Sequence, residues 1–251
     1  MSQPLAPKRK TIVPSFDPEV QPVLAPKARL TPLPLQILQA DFVRAAFTTP
    51  VAWDVEPVFS EAFRIDTDSL NQAVQAAVLF PLVQRESGLQ VLLTRRSPNL
   101  SANPGQISFP GGRIEPSDGG PLEAALRETY EEIGVAPGFV EVWGRHPNFL
   151  TGTGFAMEPV IGLIRDGFEI KPDITEVAEV FEVPLSFLMD PANHRLHAAT
   201  LPDGKQRLYF SMPWGPYFIW GATAALIRNL YHHLAAAQRV LTGTGGHQGQ
   251  G

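Results

Sequence analysis

Between Gly112 and Val135 the chain sets a glycine turn, Gly111-Gly112-Arg113, ahead of a segment in which Glu128, Glu131 and Glu132 recur at i, i+3 and i+4. That spacing brings three carboxylates to one face of a single helix. On the reverse face Leu122, Ala125, Leu126, Thr129 and Ile133 make a mostly apolar stripe, and Gly134 supplies a C-terminal stop. A helix of this kind must bury its stripe against another layer while its acidic face stays beside the turn. Carboxylates so crowded repel one another unless cations sit among them, and hard divalent ions that take oxygen ligands suit the cluster. For Arg127, Glu128, Glu131 and Glu132 alone, a solvated face with intrahelical Arg pairs is the common alternative. A merely solvated helix has no use for the glycine turn that precedes it.

The same stretch resembles the signature of the Nudix hydrolases, on which Gly112, Arg127, Glu128, Glu131, Glu132, Gly134 and Val135 fall. Asp118 stands in the first acidic slot where the signature has Glu, the gap from there to Arg127 is one residue longer, and Thr129 fills a slot that is usually apolar. Upstream, Leu92-Leu93-Thr94-Arg95-Arg96-Ser97-Pro98-Asn99-Leu100 and Gly105-Gln106-Ile107-Ser108-Phe109-Pro110-Gly111-Gly112 are similar to a segment of the coenzyme A pyrophosphatase branch, which shares the Asp and the longer gap. The runs Glu176 to Leu185 and Ile219 to Ala224 are similar to its later landmarks, so the resemblance spans roughly residues 75–235. Where that branch shows Leu-Arg-any-His-any-Gly, this chain reads Leu100-Ser101-Ala102-Asn103-Pro104-Gly105.

The resemblance implies an α/β fold, the Nudix-type α/β/α sandwich with a mixed β-sheet between helices. It implies a metal site for Mg2+, with Mn2+ as a substitute, built from Glu128, Glu131, Glu132 and the Gly112 carbonyl. Glu131 is there either a further ligand or the base that orients water. Arg127 is expected to hold the Glu131 carboxylate rather than touch metal. An additional carboxylate is sought at Glu176 or Glu179, against the alternative of exposed strand-edge glutamates. Arg95 and Arg96 at a strand end and Arg113 in the glycine turn are candidate phosphate clamps. Asp118 either supports its loop through hydrogen bonds or is an ordinary turn or N-cap residue. Tyr209, Phe210, Trp214 and Trp220 either stack a base or fill the core.

The activity implied is Mg2+-dependent hydrolysis of the diphosphate of coenzyme A or its thioesters, giving 3′,5′-ADP and 4′-phosphopantetheine or its acyl form. The alternative substrates are ADP-ribose, NADH or another nucleoside diphosphate derivative. A non-catalytic Nudix-like binding module is the rival from another class, and it would be expected to lose the signature carboxylates that persist here.

At 251 residues, one catalytic domain with extensions is the economical organisation. A net charge of −5 offers no basic surface for nucleic acid. The absence of cysteine excludes disulfides, zinc–thiolate sites and thiol nucleophiles. Lys8-Arg9-Lys10 is followed by no apolar run, and no stretch approaches the ~20 apolar residues that span a bilayer. The expectation is a cytoplasmic enzyme without nucleic-acid or membrane partners, acting on a small nucleoside diphosphate compound, with a homodimer as one assembly open to it. The six histidines suggest no metal set, and His232-His233 is expected at the surface of the last helix.

Nine of the 25 prolines lie in the first 50 residues, so residues 1–30 read as a flexible arm. Residues 31–70 read as a helix with Thr31 as N-cap, carrying Leu35, Leu38 and Phe42 on one face, and a connecting segment; 71–240 as the catalytic domain; 241–251 as a flexible tail. Strands are expected over Ala76 to Gln84 and Leu89 to Arg96, joined as a hairpin by Arg85-Glu86-Ser87-Gly88, with Pro81 placing the first at an edge. Further strands are expected at Ile107 to Phe109, Val140 to Phe149, Met157 to Ile164 and Val177 to Val183, and a final helix at Ala222 to Gln238.

Overall fold

The computed structural model of this protein describes residues 15–25, 30–59 and 72–243. In chain order it forms β1 (Val23–Leu24), α1 (Ala40–Thr48), β2 (Val74–Arg85), β3 (Gly88–Arg96), β4 (Ile107–Ser108), β5 (Gly111–Arg113) and α2 (Pro121–Ile133). There follow β6 (Val140–Arg145), β7 (Phe149–Leu150), β8 (Phe155–Ile164), β9 (Val177–Pro184), the single turn α3 (Leu185–Leu188), β10 (Arg195–Thr200), β11 (Gln206–Trp214), β12 (Tyr217–Trp220) and α4 (Gly221–Leu241).

The larger sheet runs β4-β3-β2-β8-β6, with β5 on β2, β7 on β8 and β9 on β3. It is mixed: β2 pairs parallel with β8 from Val74↔Phe155 to Val83↔Ile164, and antiparallel with β3 and β5. Alternation along β2 feeds two cores. Ala77, Leu79 and Val83 join Ala124, Ala125 and Ile133 of α2 on one face, while Val78, Phe80 and Leu82 join Leu226, Ile227 and Leu230 of α4 on the other. The sheet therefore lies between helices, as the sequence implies. Pro81 is tolerated in the central strand, not at the edge its chemistry suggests. Leu79 N–H donates to Pro110 O, so the Pro81 nitrogen faces the same side, at a point where β2 has left β5 and not yet met β3.

A second sheet, β1-β10-β11-β12, is antiparallel and was not anticipated as a separate layer. It takes up part of the expected arm: Val23 and Leu24 pair with His197 and Leu196, and Tyr209 donates its hydroxyl to Pro18 O at 2.7 Å. Strand pairing supplies partners for a backbone that prolines leave without helical ones. The rest of the arm, most of the expected tail and the connecting segment over 60–71 lie outside the described residues, and α4 itself continues to Leu241. The expected helix after Thr31 begins instead with a 3-10 turn at Leu35–Leu38, then α1.

Two buried polar clusters join α4 to the rest. Glu56 Oε2 accepts from Arg228 Nε at 2.6 Å and pairs with His232 Nε2 at 2.8 Å, and Arg228 Nη1 stands 2.8 Å from His194 Nδ1. His146 and His233 meet at 3.0 Å, and Trp53 stacks on His233 at 5.1 Å. His233 is thus buried, contrary to the surface position expected, and His232 is drawn inward by Glu56.

Candidate active site

Helix α2 is flanked by Gly120 at its N-cap, with Pro121 opening its first turn, and by Gly134 at its C-cap in the left-handed conformation with φ 79°. Its buried residues are Ala124, Ala125, Thr129, Glu132 and Ile133. Thr129 fits this interior because its hydroxyl donates to Ala125 O at 2.6 Å.

Glu132 is only 4% exposed, and its Oε2 accepts the Gly111 N–H at 3.1 Å. Arg96 Nη1 stands 3.8 Å from Oε1. Burial pushes the Glu132 carboxyl up to about 7; Gly111 and Arg96 oppose that rise, and the charges of Glu128 and Glu176 add to it. Burial also raises Glu128, against the pull of Arg127 and with further push from Glu131 and Glu176. Glu128 lies so tightly against the glycine turn that a Cβ on Gly112 would stand 2.5 Å from its carboxyl carbon. Only glycine admits that approach.

Arg127 is the hub of the acidic face. It reaches both oxygens of Asp118, at 2.9 Å through Nε and 3.0 Å through Nη2. Its Nη1 donates to Glu128 Oε1 at 3.0 Å and Glu131 Oε2 at 2.9 Å, and Nη2 also donates to the Arg113 carbonyl at 3.1 Å. Asp118 in turn accepts the Glu115 N–H at 2.7 Å. Asp118 therefore closes its own loop and anchors the arginine, two bonds in the fork geometry that suits guanidinium and carboxylate.

The structure brings some of the expected residues together and separates others. Glu131 turns outward, 55% exposed, to Arg127, so the three helix carboxylates do not converge. Among the described residues no group of three Asp, Glu or His side chains is gathered in metal-holding geometry. Glu176 lies near enough for its charge to act on both Glu128 and Glu132, on a loop tied to the end of α2 by Lys171 N–H to Ile133 O and Asp173 N–H to Glu132 O. Glu179 is engaged elsewhere, 3.1 Å from Arg95 and accepting the Tyr217 hydroxyl at 2.6 Å. Arg113 is exposed, with its guanidinium 5.7 Å from the Phe155 ring centre. Arg95 and Arg96 flank a register shift between β3 and β9 and diverge, Arg95 to Glu179 and Tyr217 and Arg96 to Glu132, so only Arg96 reaches α2.

The family model of the NUDIX domain matches residues 73–201. The chain belongs to the Nudix family. An uncharacterized Nudix hydrolase, NudL, of Enterobacter sp. (strain 638) is 39% identical over 168 residues, 66% of this chain and 85% of that protein. The NudL of Escherichia coli (strain K12) is 38% identical over the same length. Among solved structures, the Nudix hydrolase RenU of M. smegmatis gives a TM-score of 0.43 at 20% identity, over 71% of this chain and 91% of that one.

This Nudix enzyme is a diphosphate hydrolase, and Nudix hydrolases use divalent metal ions. The residues present fit such an ion. The donors beside the turn are oxygens alone, as hard cations require. Glu128 and Glu132 are half- to fully buried acids whose charges lack sufficient positive compensation, and Gly112 leaves room for the Glu128 carboxylate to press against the turn. No helix of the described residues is long and apolar enough to cross a membrane.

Proposed function

We propose that this Nudix hydrolase cleaves the diphosphate bond of coenzyme A or its thioesters with Mg2+, or Mn2+ in its place, releasing 3′,5′-ADP and 4′-phosphopantetheine or its acyl form. The observation that carries the site assignment is the setting of Glu128 and Glu132 against the Gly111-Gly112 turn with the charge of Glu176 beside them. Glu128, Glu132 and the Gly112 carbonyl would hold the ion, Glu176 would add the carboxylate from outside the helix, and Glu131 would have to swing inward from Arg127 to serve as a further ligand or as the base that orients water. Bound divalent ions offset the charge of a diphosphate, acidify the attacking water and stabilise the leaving oxygen. Arg127 acts one step back, setting the Glu128 and Glu131 side chains. Arg96 and Arg113 are the phosphate contacts, and Arg95, paired with Glu179, binds another part of the substrate.

One observation favours a second reading, hydrolysis of ADP-ribose, NADH or a related compound. Ser101 and Asn103 replace the Arg and His of the coenzyme A branch, and Asn103 is the one described non-glycine residue with positive φ, 51°, which asparagine tolerates in a tight turn. Purified protein incubated with coenzyme A, acetyl-coenzyme A, ADP-ribose and NADH in Mg2+, with products resolved chromatographically, decides between them. Turnover of ADP-ribose without turnover of coenzyme A rejects the first reading. Glu132→Gln removes hydrolysis of every substrate while the melting curve stays cooperative; full turnover in that variant rejects the site. The reading extends to a cytoplasmic enzyme of a free small molecule, with a homodimer as the assembly to examine.

A further inference from the structure

Arg95 enters the sheet face opposite the catalytic helix, where a groove of about 310 Å3 opens. Its lining includes Arg95, Gln106 and Ile107 from the β3–β4 region, Tyr217 and Trp220 from β12, and Glu19 from the docked N-terminal segment. The rings are fixed in advance. Tyr217 stacks on Phe181 with centres 3.6 Å apart and planes at 6°, and its hydroxyl is held by Glu179. Trp220 meets Tyr209 edge-on at 5.3 Å and Phe16 at 6.1 Å. Arg95 is held by the same Glu179 at 3.1 Å. Side chains already immobilised lose little freedom when a ligand arrives.

A guanidinium, an amide and a carboxylate sit beside these rings. Aromatic walls favour a flat π system, and the polar groups offer donors and acceptors to its edge. An aliphatic chain would cover the rings but leave the Gln106 amide and the Glu19 carboxylate desolvated and unpaired. Groove and catalytic site share the same end of β3: Arg95 lines the groove, and the next residue, Arg96, stands 3.8 Å from Glu132.

We propose that this groove is the subsite for the nucleobase of the diphosphate substrate, an assignment that rests on the hydrolase reading above. Metal-free full-length protein is titrated calorimetrically with AMP, ribose 5-phosphate and pantetheine, and saturation-transfer NMR identifies which AMP protons touch the protein. AMP binds through its base protons and ribose 5-phosphate does not. Tyr217→Ala weakens AMP by about fivefold or more, the low end for loss of a ring that stacks a base. Gln106→Ala, at a partly exposed loop position, weakens it about threefold and keeps the test decisive should Tyr217→Ala not fold. Equal AMP affinity in both variants and wild type, no AMP binding at all, or pantetheine binding that disappears with these substitutions overturns the assignment. A failed hydrolase reading looks different: wild type inert on every diphosphate, with AMP still bound at Tyr217.

Discussion

Replacing Gly112 by alanine should separate the site from its scaffold. The new Cβ would stand 2.5 Å from the Glu128 carboxyl carbon and from Oε1, whereas ordinary contact begins at 3.4 Å, so the carboxylate must retreat by roughly 1 Å. The obstruction is the tip of a flexible side chain, and the fold should lose about 1 kcal/mol or less. A catalytic group displaced by about 1 Å costs on the order of 10²-fold in rate, near 2.7 kcal/mol of transition-state stabilisation. Gly111→Ala is the opposite case: at φ 150° its Cβ would run into the backbone carbonyl of Ala77, in the middle of β2. Measured side by side, Gly112→Ala melts within about 4 °C of wild type and loses kcat/KM, while Gly111→Ala loses the fold. Wild-type turnover in Gly112→Ala would refute the placement of Glu128, and equal melting losses in both variants would refute the distinction between side-chain and backbone obstruction.

Asp118→Asn halves the anchoring of Arg127 and should lower kcat by about 10-fold with a smaller change in KM, since the arginine acts by positioning; a KM effect alone would argue against that. Mg2+ should raise the melting temperature of wild type and not of Glu132→Gln, because an ion bound only by the folded state stabilises it; identical shifts would remove Glu132 from the site. Burial pushes Glu56 up, but hydrogen bonds from His232 and Arg228 outweigh it and bring the carboxyl from 4.5 down to about 2. A lowered carboxyl contributes stability that is fully present above its unfolded value near 4.5 and is lost as pH falls toward 2, about 3 kcal/mol in all. Glu56→Gln should therefore destabilise strongly at pH 7, and the difference from wild type should shrink below pH 4.5 in thermal melts; a constant difference would contradict the linkage.

The catalytic helix, the β2–β3 hairpin and the inward face of α4 were legible because local spacing determines them. The glutamates at i, i+3 and i+4 do share a helix, yet Glu132 falls into the buried stripe and Glu131 out of it, since the helical repeat turns adjacent residues by about 100°. That Arg127 would bind Glu131 follows from a four-residue step; that it would also grip Asp118 depends on how the longer loop folds back, which no periodicity encodes. The second sheet went unseen for a similar reason. Its outer strand, Val23–Leu24, comes from a proline-rich segment far from β10, although Asp203-Gly204 and Gly215-Pro216 between alternating runs are turn signals that could have marked β10, β11 and β12. The inward pull on His232 and His233 is set by Glu56 and His146, distant in sequence.

The divergence of Arg95 and Arg96 makes the end of β3 a partition with one cation on either side. On the proposed reading a molecule engaging both must wrap the sheet's rim, so reach becomes a selection criterion, one that favours a diphosphate carrying a long arm over a compact phosphate compound. Discrimination of this sort comes from distance alone and asks nothing extra of the groups that break the bond.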